Sequence, residues 1–170
     1  MKFITNTKTL SEALKKVAPA IPTRSILPII ENFLFEVDDM GMMTITTTNL
    51  EISMQTRIQV KGSDPASVAV PAKMTLDILG SLPVQPITVD IKEDTITITA
   101  STGKYKISCQ GGEDFPKLEN TPSGYFSLDG AMFGRGLDKV MFAASSDEDK
   151  AALNGVYFAS DGTNLDLVAT

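Results

Sequence analysis

One order of elements is written twice in the first 109 residues and then begins again. Thr9 followed by Glu12 has the spacing of a capping box, and Leu10, Ala13, Leu14 and Val17 then recur on a 3.6-residue stripe. This predicts a helix after a short first strand around Phe3, closed by Pro19 and Pro22. Three strands are expected next: Ile29 to Val37, a β-branched run from Met43 to Thr48, and an alternating run from Ile52 to Val60. In the second and third of these, one side reads apolar and the other wet. Residues 68 to 109 repeat the order. Val68 to Val70 is a short strand, Pro71 suits the first turn of a helix carrying Met74, Leu76, Ile78, Leu79 and Leu82, and strands follow at Ile87 to Ile91, Thr95 to Ala100 and Lys104 to Cys109. The expected turns are Glu93-Asp94 and Thr102-Gly103. A shift of 65 places Phe3 on Val68, Leu14 on Leu79 and Val17 on Leu82. A helix apolar on one side needs a sheet to cover, so the pattern predicts an α+β fold with paired helices packed over a continued antiparallel sheet.

A second, longer repeat is sharper. Shifting by 123 carries Phe3 to Phe126, Leu10 to Phe133, Ala13 to Gly136, Leu14 to Leu137, Lys16 to Lys139 and Val17 to Val140. A shift of 122 then carries Asn32 to Asn154, Leu34 to Val156, Phe35 to Tyr157 and Thr48 to Thr170. This is an internal duplication near one domain length, with a first domain at 1–120, a second at 121–170, and a boundary in the Glu119 to Gly124 stretch, where Pro122 and Gly124 favour an irregular connection. The second domain reaches only as far as the first domain's second long strand, so it reads as incomplete, with exposed apolar surface or an open edge expected.

Composition removes most enzyme classes. The 170 residues contain no His and one Cys, which leaves no Ser/His/Asp triad, no Cys/His pair and no zinc-binding set, and no cofactor or metal is called for. The acidic groups Asp38-Asp39 and Asp147-Glu148-Asp149 lack calcium-loop alternation, Gly111-Gly112 lacks the full phosphate-loop pattern, and Cys109 has no activating neighbour in the sequence. No catalytic constellation is found. No apolar run approaches the roughly 18 residues of a membrane span, and MKFITNTKTL has no signal-like apolar region, so a soluble, cytoplasmic chain without membrane partners is expected. A net charge of −6 disfavours indiscriminate attraction to phosphate, although local arrangement can overrule the sum.

The ordered succession MKFI, LPIIENFLFEV, Thr48-Asn49-Leu50-Glu51, VPAK, ILGSLP, EDFPKL and LNGVYF resembles the bacterial DNA polymerase III beta subunit, the replicative sliding clamp, over the whole chain. That family's subunit has three similarly folded domains, and two subunits close head to tail around duplex DNA. Helices line the channel, sheets form the outside, and the ring tethers the polymerase without chemistry. The resemblance implies that this chain corresponds to the first domain and the beginning of the second, and that without a third domain it does not close a ring. Asn49 stands where the family commonly has Asp, Lys150 where it usually has Arg, and Ala151 where Pro is common. Lys150 keeps the charge but not the guanidinium fork.

The resemblance implies roles for individual residues. A sliding ring needs positive potential toward phosphates without base-reading contacts that would trap it. Lys15, Lys16, Lys73, Arg135 and Lys139 lie in or beside the three predicted helices, Arg24 in a Pro-stiffened loop, and Lys150 in the run before a strand, and these are the expected DNA contacts. Read from composition alone, they are a solvated helix face. Lys104, Tyr105, Lys106 and Ile107 fall where a first domain meets the partner subunit's third, with Tyr105 and Ile107 displayed at an unpaired edge and Met74 and Ile78 approaching the same boundary or packing in the core. Leu153 and Thr170 correspond to the start and end of a pocket wall that receives an apolar peptide from the polymerase or clamp loader. The competing reading is a non-catalytic protein-binding or structural α+β module. A shared face for the basic residues separates the two.

Overall fold

A computed structural model describes residues 1–62, 64–116 and 127–170. The chain separates into two compact units, Met1–Glu119 and Asn120–Thr170. The expected boundary stretch, Glu119 to Gly124, and Phe126 lie outside the described residues.

Unit 1 runs β1 (Lys2–Asn6), α1 (Thr7–Val17), β2 (Asn32–Val37), β3 (Met42–Thr48) and β4 (Ser53–Gln59). It then repeats the order as β5 (Ala66–Pro71), α2 (Ala72–Ser81), β6 (Pro86–Lys92), β7 (Thr95–Ala100) and β8 (Gly103–Ser108), followed by the two-residue β9 (Gln110–Gly111). The fold is α+β, but its strands form two sheets rather than one. The sheet orders are β1-β6-β7-β8 and β4-β3-β2-β5-β9, so each repeat gives its first strand to the other. The registers interchange with the repeats: Phe3 lies opposite Val89 as Val68 lies opposite Phe35, and Ile4 opposite Thr88 as Ala69 opposite Leu34. The seams match as well. Ile4 and Lys61 exchange backbone hydrogen bonds of 2.9 and 3.1 Å at one, and Ala69 pairs with Gln110 at the other. Sequence period fixes which side chains face inward but not which strand lies alongside, which is why the exchange was not foreseen.

Local chemistry sets the element ends. Asn6, not Thr9, caps α1, its side chain accepting the Lys8 N–H at 2.9 Å. The helix starts earlier because Thr7 is buried with its hydroxyl donating to the Pro83 carbonyl at 2.9 Å and accepting from the Gln85 N–H at 3.0 Å. Glu12 instead reaches the Lys8 ammonium at 3.9 Å. Pro71 closes β5 and caps α2 rather than entering its first turn. Ala100 lies opposite Gly103, so Ser101 and Thr102 form that turn, one residue earlier than expected.

The core of unit 1 lies between the helices and the inner sheet faces. Leu10, Ala13, Leu14 and Val17 of α1 are buried against Phe33, Phe35, Met43, Ile45, Ile87, Val89, Ile96 and Ile98. Ile29 and Ile30 sit in a 3-10 turn (Pro28–Glu31) rather than in β2. With Leu34, Ala69 and Phe115 they make a second small cluster on the outer side of the sheet. The expected wet face of β3 is dry at its end, where Thr46 and Thr48 are buried, as is Thr47 on the opposite side with Met43 and Ile45. Threonine fills a pleated face while its hydroxyl finds a partner. Thr47 donates to the Val17 carbonyl at 2.6 Å, and Thr46 accepts from Gln55 Nε2 at 3.0 Å.

Unit 2 contains α3 (Gly130–Val140), β10 (Tyr157–Ser160) and β11 (Leu165–Val168). Both ends of α3 stand 123 residues after those of α1, and Asp129 replaces Asn6 as its cap, accepting the Met132 N–H at 2.7 Å. A 3-10 turn follows each helix, at Ala18–Ala20 and Met141–Ala143. The hairpin corrects the expected register. Phe158 lies opposite Leu167 on the helix side, its ring centroid 5.9 Å from that of Phe133, so Phe158 and not Tyr157 takes the place of Phe35. Four residues separate the paired Ser160 and Leu165, against five between the paired Val37 and Met43, which returns β11 to the shift of 122. Asp161 organises that turn. Its carboxylate accepts the Thr163 and Asn164 N–H groups at 2.8 and 2.6 Å, and these bonds, with that from the Asn164 side chain, lower its pKa to about 2.

Candidate nucleic-acid interface and client pocket

The basic residues expected to face DNA sit on helices and a loop, each displayed by local structure. In unit 1, Lys15 and Lys16 occupy the last turn of α1, where the helix dipole favours cations, and both are exposed. They stand on the side away from the buried stripe because 3.6-residue periodicity separates them from Leu14 and Val17. Lys73 is exposed in the first turn of α2, which packs beside α1. A depression of 230 Å³ between the helices is bordered by Lys8, Glu12 and Lys15 on α1 and by Gly80 and Leu82 at the far end of α2. Among the described residues, none of Lys15, Lys16, Lys73 or Arg24 forms an ion pair within 4.0 Å. Lys8, by contrast, is paired with Glu12.

Arg24 is exposed in the loop after the 3-10 turn. That loop is held by the Ser25 N–H on the Glu31 carboxylate at 2.9 Å and the Leu27 N–H on the Ser25 hydroxyl at 3.0 Å. Ile26, fully exposed beside Arg24, was not singled out from the sequence. Apolar character alone gives no sign that a loop turns a side chain outward.

In unit 2, Arg135 and Lys139 are exposed on α3, Lys139 in its last turn. Lys150 lies in an irregular 3-10 stretch (Glu148–Leu153), and its ammonium is 3.7 Å from the Asp147 carboxylate. That pairing offsets part of the charge it could offer a phosphate.

The proposed subunit-edge residues divide. β8 is the outer strand of its sheet, and Lys104 and Lys106 are exposed on it. Ile107 is not displayed: it is 3 % exposed, opposite Ile96 in the core. Tyr105 is half-buried against the same core, its hydroxyl 3.4 Å from that of Thr102. The reason is strand alternation, which turns 105 and 107 together toward the inner face. Ile78 is half-buried against the core, as its apolar position on the helix predicts, whereas Met74, for which the core was the favoured reading, is exposed. α2 packs near β8.

Leu153 and Thr170 come together. They line a depression of 380 Å³ with Ala152, Gly155, Val156, Tyr157, Val168 and Ala169, on the side of the hairpin turned away from α3. Tyr157 and Val168 were missed because the register one residue off turned Tyr157 inward. Their opposition in the hairpin, a period-two signal, is what would have found them.

The remaining chemistry is sparse. Cys109 is buried, and burial and then the Asp94 carboxylate push its thiol pKa upward. Among the described residues no cluster of three or more acidic or thiol groups is arranged to hold a metal, and no helix is long and apolar enough to cross a membrane.

Comparison with known proteins matches this geometry to one family. The family model for the DNA polymerase III beta subunit, N-terminal domain, matches residues 1–119. Beta sliding clamps from Synechocystis sp. and Escherichia coli are 32% and 30% identical to this chain, with alignments covering all of it and 46% and 47% of those proteins. The solved sliding clamp of Pseudomonas aeruginosa has a TM-score of 0.93 at 29% identity and covers all of this chain and 47% of that one. The beta subunit of Thermotoga maritima has a TM-score of 0.88 at 28% identity, covering 99% of this chain and 46% of that one. The chain therefore spans about half the length of these relatives. A family model that matches the first unit and relatives aligned over the whole chain leave a single conclusion: this chain belongs to the DNA polymerase III beta subunit family, the bacterial beta sliding clamps.

Proposed function

We propose that this chain serves as a first clamp domain and the first part of a second in a non-catalytic, cytoplasmic processivity factor. In that role the complete protein encircles duplex DNA as a homodimeric ring and tethers the replicative polymerase after loading by a clamp loader. The observation that carries the reading is the helix layer of unit 1, where Lys15, Lys16 and Lys73 stand exposed and unpaired on adjacent helices over a sheet-backed core. Lysine offers phosphate a point charge on a flexible stem, which supports attraction without fixed register. Arg24, Arg135, Lys139 and, more weakly, Lys150 extend the same role. Lys104 and Lys106, with Tyr105, Ile78 and Met74, supply a subunit edge supported from behind by buried Ile107. Leu153 and Thr170 form part of the client-peptide wall.

The test is fluorescence titration of a random-sequence 20-bp duplex with the 170-residue chain across a salt series. Weak, sequence-independent binding is expected, with log K falling by about 0.9 per phosphate contact for each decade of salt. The combined variant Lys15→Ala, Lys16→Ala, Lys73→Ala flattens that slope by roughly three contacts. An unchanged slope would remove the helix layer from the DNA-facing set.

A further inference from the structure

The two faces of the β1-β6-β7-β8 sheet carry opposite chemistry. The inner face supplies Phe3, Ile87, Val89, Ile96, Ile98 and Ile107 to the core, so strand alternation turns the intervening side chains outward, away from both helices. On that outer face the registers set two rows across the strands. One runs Lys2, Asp90, Thr97, Lys106. The other runs Ile4, Thr88, Thr99, Lys104, and Lys61, bridged to Ile4 on the far side of β1, extends it. Each row therefore ends in lysine on both sides, with threonine between. All four lysines are exposed, and among the described residues none of them forms an ion pair within 4.0 Å. Among the same residues the hydroxyls of Thr88, Thr97 and Thr99 make no hydrogen bond. Asp90, the acid inside this frame, is engaged by Lys92 at 3.7 Å. A chain of net charge −6 thus gathers unpaired cations on one sheet face.

We propose that this face is a docking surface for an acidic, extended protein segment lying across the strands, its carboxylates on the flanking lysines and its backbone over the threonine hydroxyls. Spacing selects that occupant. Neighbouring strands lie about 4.8 Å apart, which puts Lys2 roughly 14 Å from Lys106, and an extended peptide rising about 3.4 Å per residue covers that span between same-side residues four positions apart. A nucleic-acid strand fits less well. The two rows hold no aromatic ring on which a base could stack and no guanidinium fork for a phosphate. A backbone charged at every unit also meets Asp90, whereas a peptide with neutral residues between its acids passes over it. None of these side chains belongs to the helix layer, so the proposal does not rest on the DNA-facing role.

Amide NMR titration of the 170-residue chain with synthetic Gly/Ser peptides reads this directly. One peptide carries two Glu four positions apart, and its control carries the same two Glu side by side. Shifts confined to β1, β6, β7 and β8 are expected, with affinity that falls as salt is raised and binding of the control about threefold weaker. Lys2→Glu combined with Lys106→Glu weakens binding about tenfold, as exposed ion pairs are lost and reversed. Lys8→Glu combined with Arg57→Glu, an equal change of charge at exposed positions elsewhere on unit 1, leaves it intact. Unchanged amide spectra away from the sheet show that both variants fold. Shifts scattered over the surface, equal losses in the two variants, or no preference between the peptides would overturn the proposal. So would tighter binding of the same face to a single-stranded oligonucleotide or to phosphatidylserine vesicles. Peptide binding that persists where duplex binding is absent supports the surface and counts against the clamp role alone.

Discussion

Gly112 shows how one residue decides what covers a sheet. A Cβ at that position would lie 2.1 Å from the Ser67 hydroxyl, 2.8 Å from Leu34 Cδ1 and 3.0 Å from the Ser67 backbone carbon, so a larger residue forces these neighbours to shift where the chain after β9 crosses the outer face. Its N–H bonds the Ser67 carbonyl at 3.2 Å, and three residues later Phe115 enters the cluster with Ile29, Ile30, Leu34 and Ala69. Gly112→Ala is therefore expected to destabilise unit 1 by about 1–3 kcal/mol, the usual cost of overpacking, read as a lower urea midpoint with unchanged slope. Phe115 was visible in the sequence as part of EDFPKL, but its role as a plug was not. Burial of a side chain that follows the last strand depends on which sheet face happens to be open. The same limit applies to Ile107, whose apolar character was plain and whose direction was set only by the inward turn of β8.

At the scale of elements, α1 and α3 are one helix in two environments. Their stripes, lengths, caps and following turns coincide at a shift of 123, and their burial does not. Leu14 is fully buried, so Leu14→Ala should cost unit 1 about 2–5 kcal/mol, the range for core leucines. Leu137 is half-buried, and Leu137→Ala should cost unit 2 roughly half as much, since less apolar surface returns to water. Chemical denaturation of the two variants, followed by exchange at amides of each unit, compares them within one molecule. The helices were legible because amphipathic period is local. The start of α1 was not, because Thr7 is held by Pro83 and Gln85, more than seventy residues away. The β10 register slipped for a similar reason: a hairpin turn one residue shorter changes the face of a strand without changing its composition.

At the scale of the whole molecule, the two units differ in how much core each closes. Unit 1 buries a continuous set of aliphatic and aromatic side chains, whereas none of the described residues of unit 2 is fully buried. Unit 2 amides should therefore exchange through opening at much lower free energy than those of β2, β3, β6 and β7. Native-state exchange at increasing urea would reveal two separate isotherms. A single shared isotherm would show that the units unfold as one.

The amino-acid sequence alone determined the order of elements, the inward stripe of each helix, the repeat at 123 and membership of a family, because these rest on residue type and on spacing within a turn or a strand. Tertiary structure decided that the first strands change places, that Ile107 and three consecutive threonines are buried, and that Leu153 meets Thr170 in one depression. Those outcomes depend on which distant backbone lies alongside, and periodicity within a segment carries no information about its neighbour.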